Sequence, residues 1–232
     1  MNPSETIVPI FGVDKASDEN IFLGTGALIG KPSLVVTAEH VVRGWDGPFG
    51  IVKLPVETRH PMRANLVIKN RDVDLALLEV PDYLPERTLE LAQDNEITTN
   101  KIVFCLEYST TRSRAGVIHI SPATRMGNVT RLVDLRERYG QAGESALELS
   151  FPALRGASGA PIISSTNGRV WGIVIANVSY HLLPSQIITV LDEKNQILEE
   201  TQFLLPQGLA VHVKHLRTML QTYTVGRDPG NP

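Results

Sequence analysis

Short apolar runs, each closed by turn-forming residues, dominate this chain and limit what it can fold into. They cover residues 21–29, 34–37, 50–54, 64–69 and 75–80 in the first part, then 101–106, 115–120, 146–150, 161–164, 170–176 and 209–213. Many are rich in Val and Ile and are bounded by Gly, Pro, Asn or Asp. Runs of about 4–8 residues with turn signals roughly every 10 residues predict an all-β barrel or sandwich. Two stretches break the rhythm. Residues 127–145 are charged and read as a loop upstream of a Gly/Ser-rich segment. Residues 179–206 read as an inserted hairpin, with arms at 187–191 and 197–200 around the polar 192–196. Each is either surface loop or a regulatory or specificity element. His215-Leu216-Arg217-Thr218-Met219-Leu220 has helical spacing and predicts a closing helix over 213–222, followed by a flexible tail or linker over 224–232.

A chain of 232 residues with 42% hydrophobic content can close a packed core as one unit. A formal charge of −3 supplies no basic field, so nucleic acid is not the expected partner. No apolar run reaches the ~18 residues that a membrane helix needs. Met1-Asn2-Pro3-Ser4-Glu5-Thr6 lacks the basic and apolar regions of a secretory signal. The lone Cys105, framed by Ile102-Val103-Phe104 and Leu106, cannot form an internal disulfide and reads as a small core hydrophobe. These features predict a cytoplasmic protein. No Cys/His spacing points to zinc, and neither metal nor cofactor is expected.

Three segments carry chemistry, in a fixed order: Thr37-Ala38-Glu39-His40, Asp72-Val73-Asp74-Leu75-Ala76-Leu77-Leu78, and Gly156-Ala157-Ser158-Gly159-Ala160-Pro161. They hold a base, an acid and a serine. A serine hydroxyl is a poor nucleophile until an imidazole takes its proton. The imidazole in turn needs a carboxylate to fix its tautomer and stabilise the imidazolium. Strand periodicity would put Asp72 and Asp74 on one face, so periodicity alone does not choose between them.

With these motifs, the chain resembles the trypsin-like serine peptidases, most of all their HtrA-like branch. The resemblance covers about residues 20–222 and includes Gly24-Thr25-Gly26-Ala27-Leu28-Ile29 and Gly208-Leu209-Ala210-Val211-His212-Val213. It implies a chymotrypsin-like, all-β fold: two six-stranded antiparallel barrels, over about 8–90 and about 98–213, and a C-terminal helix. The site would lie between the barrels. The resemblance makes His40 the general base, Asp74 the orienting acid and Ser158 the nucleophile. It gives the backbone N–H groups of Gly156 and Ser158 to the oxyanion hole. Asp72 then becomes a solvated neighbour.

Two departures from the digestive pattern matter. Those enzymes carry Asp before the nucleophile, where it binds a new N-terminus; here Ala157 has no charge to offer, and there is no Ile-Val-Gly-Gly start. The oxyanion hole is therefore either preformed or ordered by loop movement, a ligand or a partner. The resemblance also places the base of the specificity pocket six residues before the serine, at Pro152, with Arg155 at its rim. Without a carboxylate there, the expected preference is for a small or medium apolar side chain. Ile175-Ala176-Asn177 resembles the strand that pairs with substrate backbone.

The leading expectation is a serine endopeptidase acting on protein or peptide substrates. By analogy it would be a regulated bacterial effector or signalling protease, with a regulatory protein partner or fused domain. The rival is a latent or non-catalytic binding module on the same fold. An esterase of another fold would need a base among the late histidines and a strand–helix alternation that the chain lacks.

Overall fold

The short runs pair antiparallel and close on themselves twice. The computed structural model describes residues 5–14, 19–30, 33–53, 61–81, 83–114, 117–135, 144–181, 188–191, 197–201 and 204–225. In the first half these are β1 (Ile7–Asp14), β2 (Glu19–Leu28), β3 (Leu34–Ala38), the single-turn helix α1 (Glu39–Val42), β4 (Phe49–Ile51), β5 (Met62–Asn70) and β6 (Leu75–Glu79). Their six strands form a closed barrel in the order β1-β2-β3-β6-β5-β4.

The second half contains β7 (Ile102–Glu107), β8 (Arg112–Arg114), β9 (Val117–His119), β10 (Ala123–Asp134), β11 (Glu144–Leu149), β12 (Pro161–Ser164) and β13 (Val170–His181). It continues with β14 (Ile188–Leu191), β15 (Ile197–Thr201), β16 (Leu204–His212) and α2 (Val213–Val225). The second closed barrel runs β10-β11-β16-β13-β12-β7. The fold is thus chymotrypsin-like, with two six-stranded antiparallel barrels and a C-terminal helix.

Burial explains which runs pair. Every residue of β3 is buried, as are Leu75, Ala76, Leu77 and Leu78 of β6. One face of β3 fills the first barrel, and the strand also touches β13 of the second. A strand covered on both faces reads as a continuous apolar run. β1 is less legible because Pro9 interrupts it. Pro9 is tolerated because its β2 partner Thr25 turns its own N–H away to Ser158, making this a pair without ladder bonds, and β4 reaches β1 only at Ile10–Gly12.

Three expectations need correction. The run at 115–120 is no barrel strand: β8 and β9 pair only with each other, and residues 115–116 lie outside the described residues. The sixth strand of the second barrel is instead β10, most of it inside the stretch read as a charged loop. Only Val129 of β10 is fully buried, and its arginines are paired across the sheet. Arg125 Nε donates to Glu107 at 2.9 Å, and Arg131 Nε donates to Glu148 at 3.0 Å. The closing helix runs three residues beyond 222, to Val225. A β14–β15 hairpin forms within 179–206, while 136–143, 182–187, 192–196 and the tail at 226–232 lie outside the described residues.

Cys105 is 1% exposed, and burial pushes its thiol far above the ordinary range, so it packs rather than reacts. No described helix is long and apolar enough to cross a membrane.

His212 ends β16 and gives the fold a pH-dependent element. It is 5% exposed, and its Nδ1 accepts the Lys214 backbone N–H at 3.1 Å. Burial, then the nearby charges of Lys214, His215 and Arg217, outweigh Asp94 and lower its pKa from 6.5 to about 4. The unfolded chain takes a proton near 6.5 that the folded chain refuses until about 4. Stability from this group is therefore complete above pH 6.5 and falls as pH drops towards 4. Urea midpoints of wild type and His212→Asn should diverge between pH 7.5 and about 4.5, wild type losing more. A pH-independent difference would refute the assignment.

Candidate active site

The site begins where β3 ends. Ala38 precedes α1 and supplies no side-chain cap, so the one-turn helix depends on a distant partner. Asp74 is that partner. Its carbonyl oxygen accepts the Glu39 N–H at 3.1 Å, and its Oδ1 accepts the His40 N–H at 2.9 Å. Its Oδ2 lies 2.7 Å from His40 Nδ1. Asp74 closes the turn at 71–74 with φ +52°, a left-handed conformation that Asp tolerates better than most residues. The turn aims its buried carboxylate at His40. Asp72 stays exposed, and its N–H bonds Asn70 Oδ1.

Glu39 is a feature that sequence reasoning missed. It is fully buried beside His40 and takes Arg43 Nε at 2.6 Å and Arg71 Nε at 3.4 Å. A buried carboxylate is costly unless paired, and here the pairing ties α1 to the turn that carries Asp74. The available signal was a charge inside Thr-Ala-Glu-His with Arg four residues later.

Ser158 comes from the second barrel, on a turn shaped by glycines. Gly156 has φ +96° and Gly159 φ +86°, a region that L side chains avoid. Ala157 N–H bonds the Leu154 carbonyl at 2.9 Å, and Gly159 N–H bonds Val174 at 2.8 Å. The buried Thr25 of β2 holds this turn from the first barrel. Its N–H donates to the Ser158 carbonyl at 3.0 Å, and its Oγ1 donates to the Gly156 carbonyl at 2.8 Å. Among the described residues, the N–H groups of Gly156 and Ser158 donate to nothing.

His40, Gly156 and Ser158 share one cleft of about 890 Å³, with Arg155 on its wall. No hydrogen bond joins Ser158 to His40 in this state. Pro152, Ile175, Ala176 and Asn177 are not on that wall. Pro152 is half-buried on the approach to the Ser158 turn. Asn177 clamps the same approach: its Oδ1 accepts Ala153 N–H at 2.8 Å, and its Nδ2 donates to the Ala153 carbonyl at 2.7 Å. Pairing of β12 with β13 ends at Ile173, so the β13 edge at 175–177 is unpaired on that side among the described residues. No group of three or more potential metal ligands exists among the described residues.

The arrangement can polarise an imidazole and present two N–H donors beside a serine. Comparison with known proteins agrees in kind. A family model described as a trypsin-like peptidase domain matches residues 24–173. A search of curated protein sequences finds no match. Among solved structures, the HtrA-type protease AlgW with a decapeptide is similar, with a TM-score of 0.65 and 14% identity over 94% of this chain. AlgW with a tripeptide gives a TM-score of 0.62 and 15% identity over 94%. The chain spans 64% and 60% of those two AlgW chains. An inactive serine-to-alanine form of Rv3671c from M. tuberculosis H37Rv gives a TM-score of 0.60 and 19% identity, covering 95% of this chain and 88% of that one. At these identities the structural likeness establishes the fold.

Proposed function

The chain belongs to the trypsin-like peptidase family, and from that premise we propose that it is a serine endopeptidase using His40, Asp74 and Ser158. Ser158 Oγ attacks the scissile carbonyl carbon while His40 Nε2 takes its proton. Asp74 Oδ2 holds Nδ1–H and stabilises the imidazolium. The N–H groups of Gly156 and Ser158 receive the developing oxyanion, a contribution of about 10²–10³ in rate per donor. His40 then protonates the leaving amine, and water hydrolyses the acyl ester by the same route in reverse. The single observation that carries this reading is the His40–Asp74 contact of 2.7 Å facing one cleft with Ser158.

AlgW is seen with bound peptides, and on that likeness the substrate is a peptide segment. Its acyl half would pair with the free β13 edge at Ile175–Asn177, and its apolar side chain would rest near Pro152. The buried free Cys105 fits a cytoplasmic setting. A second reading has one observation in its favour: Ser158 and His40 are not hydrogen-bonded. A latent domain, completed by a regulatory partner, would look the same, although such bonds often tighten only on substrate binding.

A fluorophosphonate probe separates the two. Wild type should be labelled at Ser158, and Ser158→Ala should not. Absence of labelling on folded wild type would favour the latent module.

A further inference from the structure

The cleft extends away from the β13 edge. It holds His40 and Ser158 but none of Pro152, Ile175, Ala176 or Asn177. Under the proposed reading, those four serve the acyl half of the substrate. The cleft must then receive the other half, whose amine takes the proton from His40. His40, Val41, Arg43 and Trp45, all from the first barrel's half of the chain, line it together.

The charge of this wall is one-sided. Among the described residues, Arg43, Arg112 and Arg155 line it, and no Asp or Glu does. Arg43 is engaged by Glu39. Arg112 and Arg155 are exposed, and neither side chain makes a hydrogen bond or ion pair with a described residue. The chain as a whole carries −3, so the positive character is local. Two further features mark this wall. Asn20 Oδ1 and Ser109 Oγ, both on this wall, are buried without hydrogen-bond partners. β3 reaches β2 only at Ala27 and Leu28, so the β2 edge from Asn20 to Gly24 has no strand on that side among the described residues. An extended peptide could lie along this edge.

We infer that this half of the cleft selects substrates carrying Asp or Glu shortly after the scissile bond, with Arg112 and Arg155 reading the carboxylates. The inference rests on the peptidase reading for the direction of the peptide. Guanidinium groups suit it because they bind carboxylates through paired N–H donors.

The test measures binding separately from chemistry. Fluorescent peptide pools, degenerate in their first half and amidated at the C-terminus, carry Asp/Glu, Asn/Gln or Lys in the second half. Their affinity for Ser158→Ala is read by anisotropy at low and high salt. Amidation removes a terminal carboxylate as the source of any effect. The acidic pool should bind about tenfold tighter than its neutral isosteres, roughly threefold per exposed Arg–carboxylate pair. High salt should erase the difference. Arg112→Glu/Arg155→Glu in the same background should reverse the order in favour of Lys. Equal binding of acidic and neutral pools overturns the inference, as does a preference that the double variant leaves intact. Fluorophosphonate labelling of wild type, run alongside, tests the peptidase reading alone. Acidic preference without labelling would keep the binding site and remove the hydrolysis; labelling without acidic preference would do the reverse.

Discussion

Replacing Asp74 with Asn will lower kcat/KM on a peptide substrate about 10⁴-fold while leaving the fold intact. The reason lies in how both carboxylate oxygens are used. Oδ1 accepts the His40 backbone N–H at 2.9 Å, and Oδ2 faces His40 Nδ1 at 2.7 Å. An amide has one acceptor and one donor end. The backbone N–H can only donate, so the carbonyl oxygen must stay with it. The NH₂ group then faces Nδ1 and forces the imidazole to carry its proton on Nε2. That nitrogen can no longer accept the proton of Ser158. Asp72→Asn is the control: Asp72 is exposed and no contact links it to His40. It should stay within about twofold of wild type, as surface changes usually do. Where no peptide substrate is in hand, the rate of fluorophosphonate labelling reads the same proton transfer. Equal losses in the two variants would remove Asp74 from its proposed role.

That pair of aspartates also shows where sequence reading stops. A period of two would keep Asp72 and Asp74 equivalent, but residues 71–74 form a turn, and φ +52° at Asp74 breaks the period. Strands buried on both faces, such as β3 and β6, announced themselves as apolar runs. β10 did not, because its charges are neutralised by Glu107 and Glu148 on neighbouring strands, a pairing invisible in local hydropathy. The supports of the site were hidden by distance along the chain. Thr25 grips Gly156 across 131 positions, and Glu39 meets Arg71 across 32. Motifs carry the reacting groups because those must be particular residue types. The groups that orient them need only reach, and many sequences can do that.

The Ser158 turn should be less tolerant still, of added bulk. Gly159→Ala will lower the melting temperature by about 10 °C and remove activity together. Gly159 sits at φ +86°, and a Cβ there would collide with the Thr25 carbonyl oxygen and the Thr37 hydroxyl, with Ala38 N at 3.1 Å. None of these is the free end of a flexible side chain. Thr37 Oγ1 is itself bonded to the Thr25 carbonyl at 2.8 Å, and Thr25 N–H holds the Ser158 carbonyl at 3.0 Å. Relief of the clash must therefore part β2 and β3 from the turn, moving Ser158 on one side and the Ala38–His40 segment on the other. The left-handed backbone costs about 1–2 kcal/mol, and overpacking about 1–3 kcal/mol more. At roughly 2–4 °C per kcal/mol for a chain of this size, the sum gives the expected shift. Gly168→Ala isolates the conformational part, since Gly168 has φ +72° but a Cβ added there would meet nothing within 4 Å. It should lose only about 3 °C and keep the labelling rate. Similar shifts for the two variants would mean that the barrels can separate at this seam at little cost, and the rigid contact between Gly159 and Thr25 would lose its role in aligning Ser158 with His40.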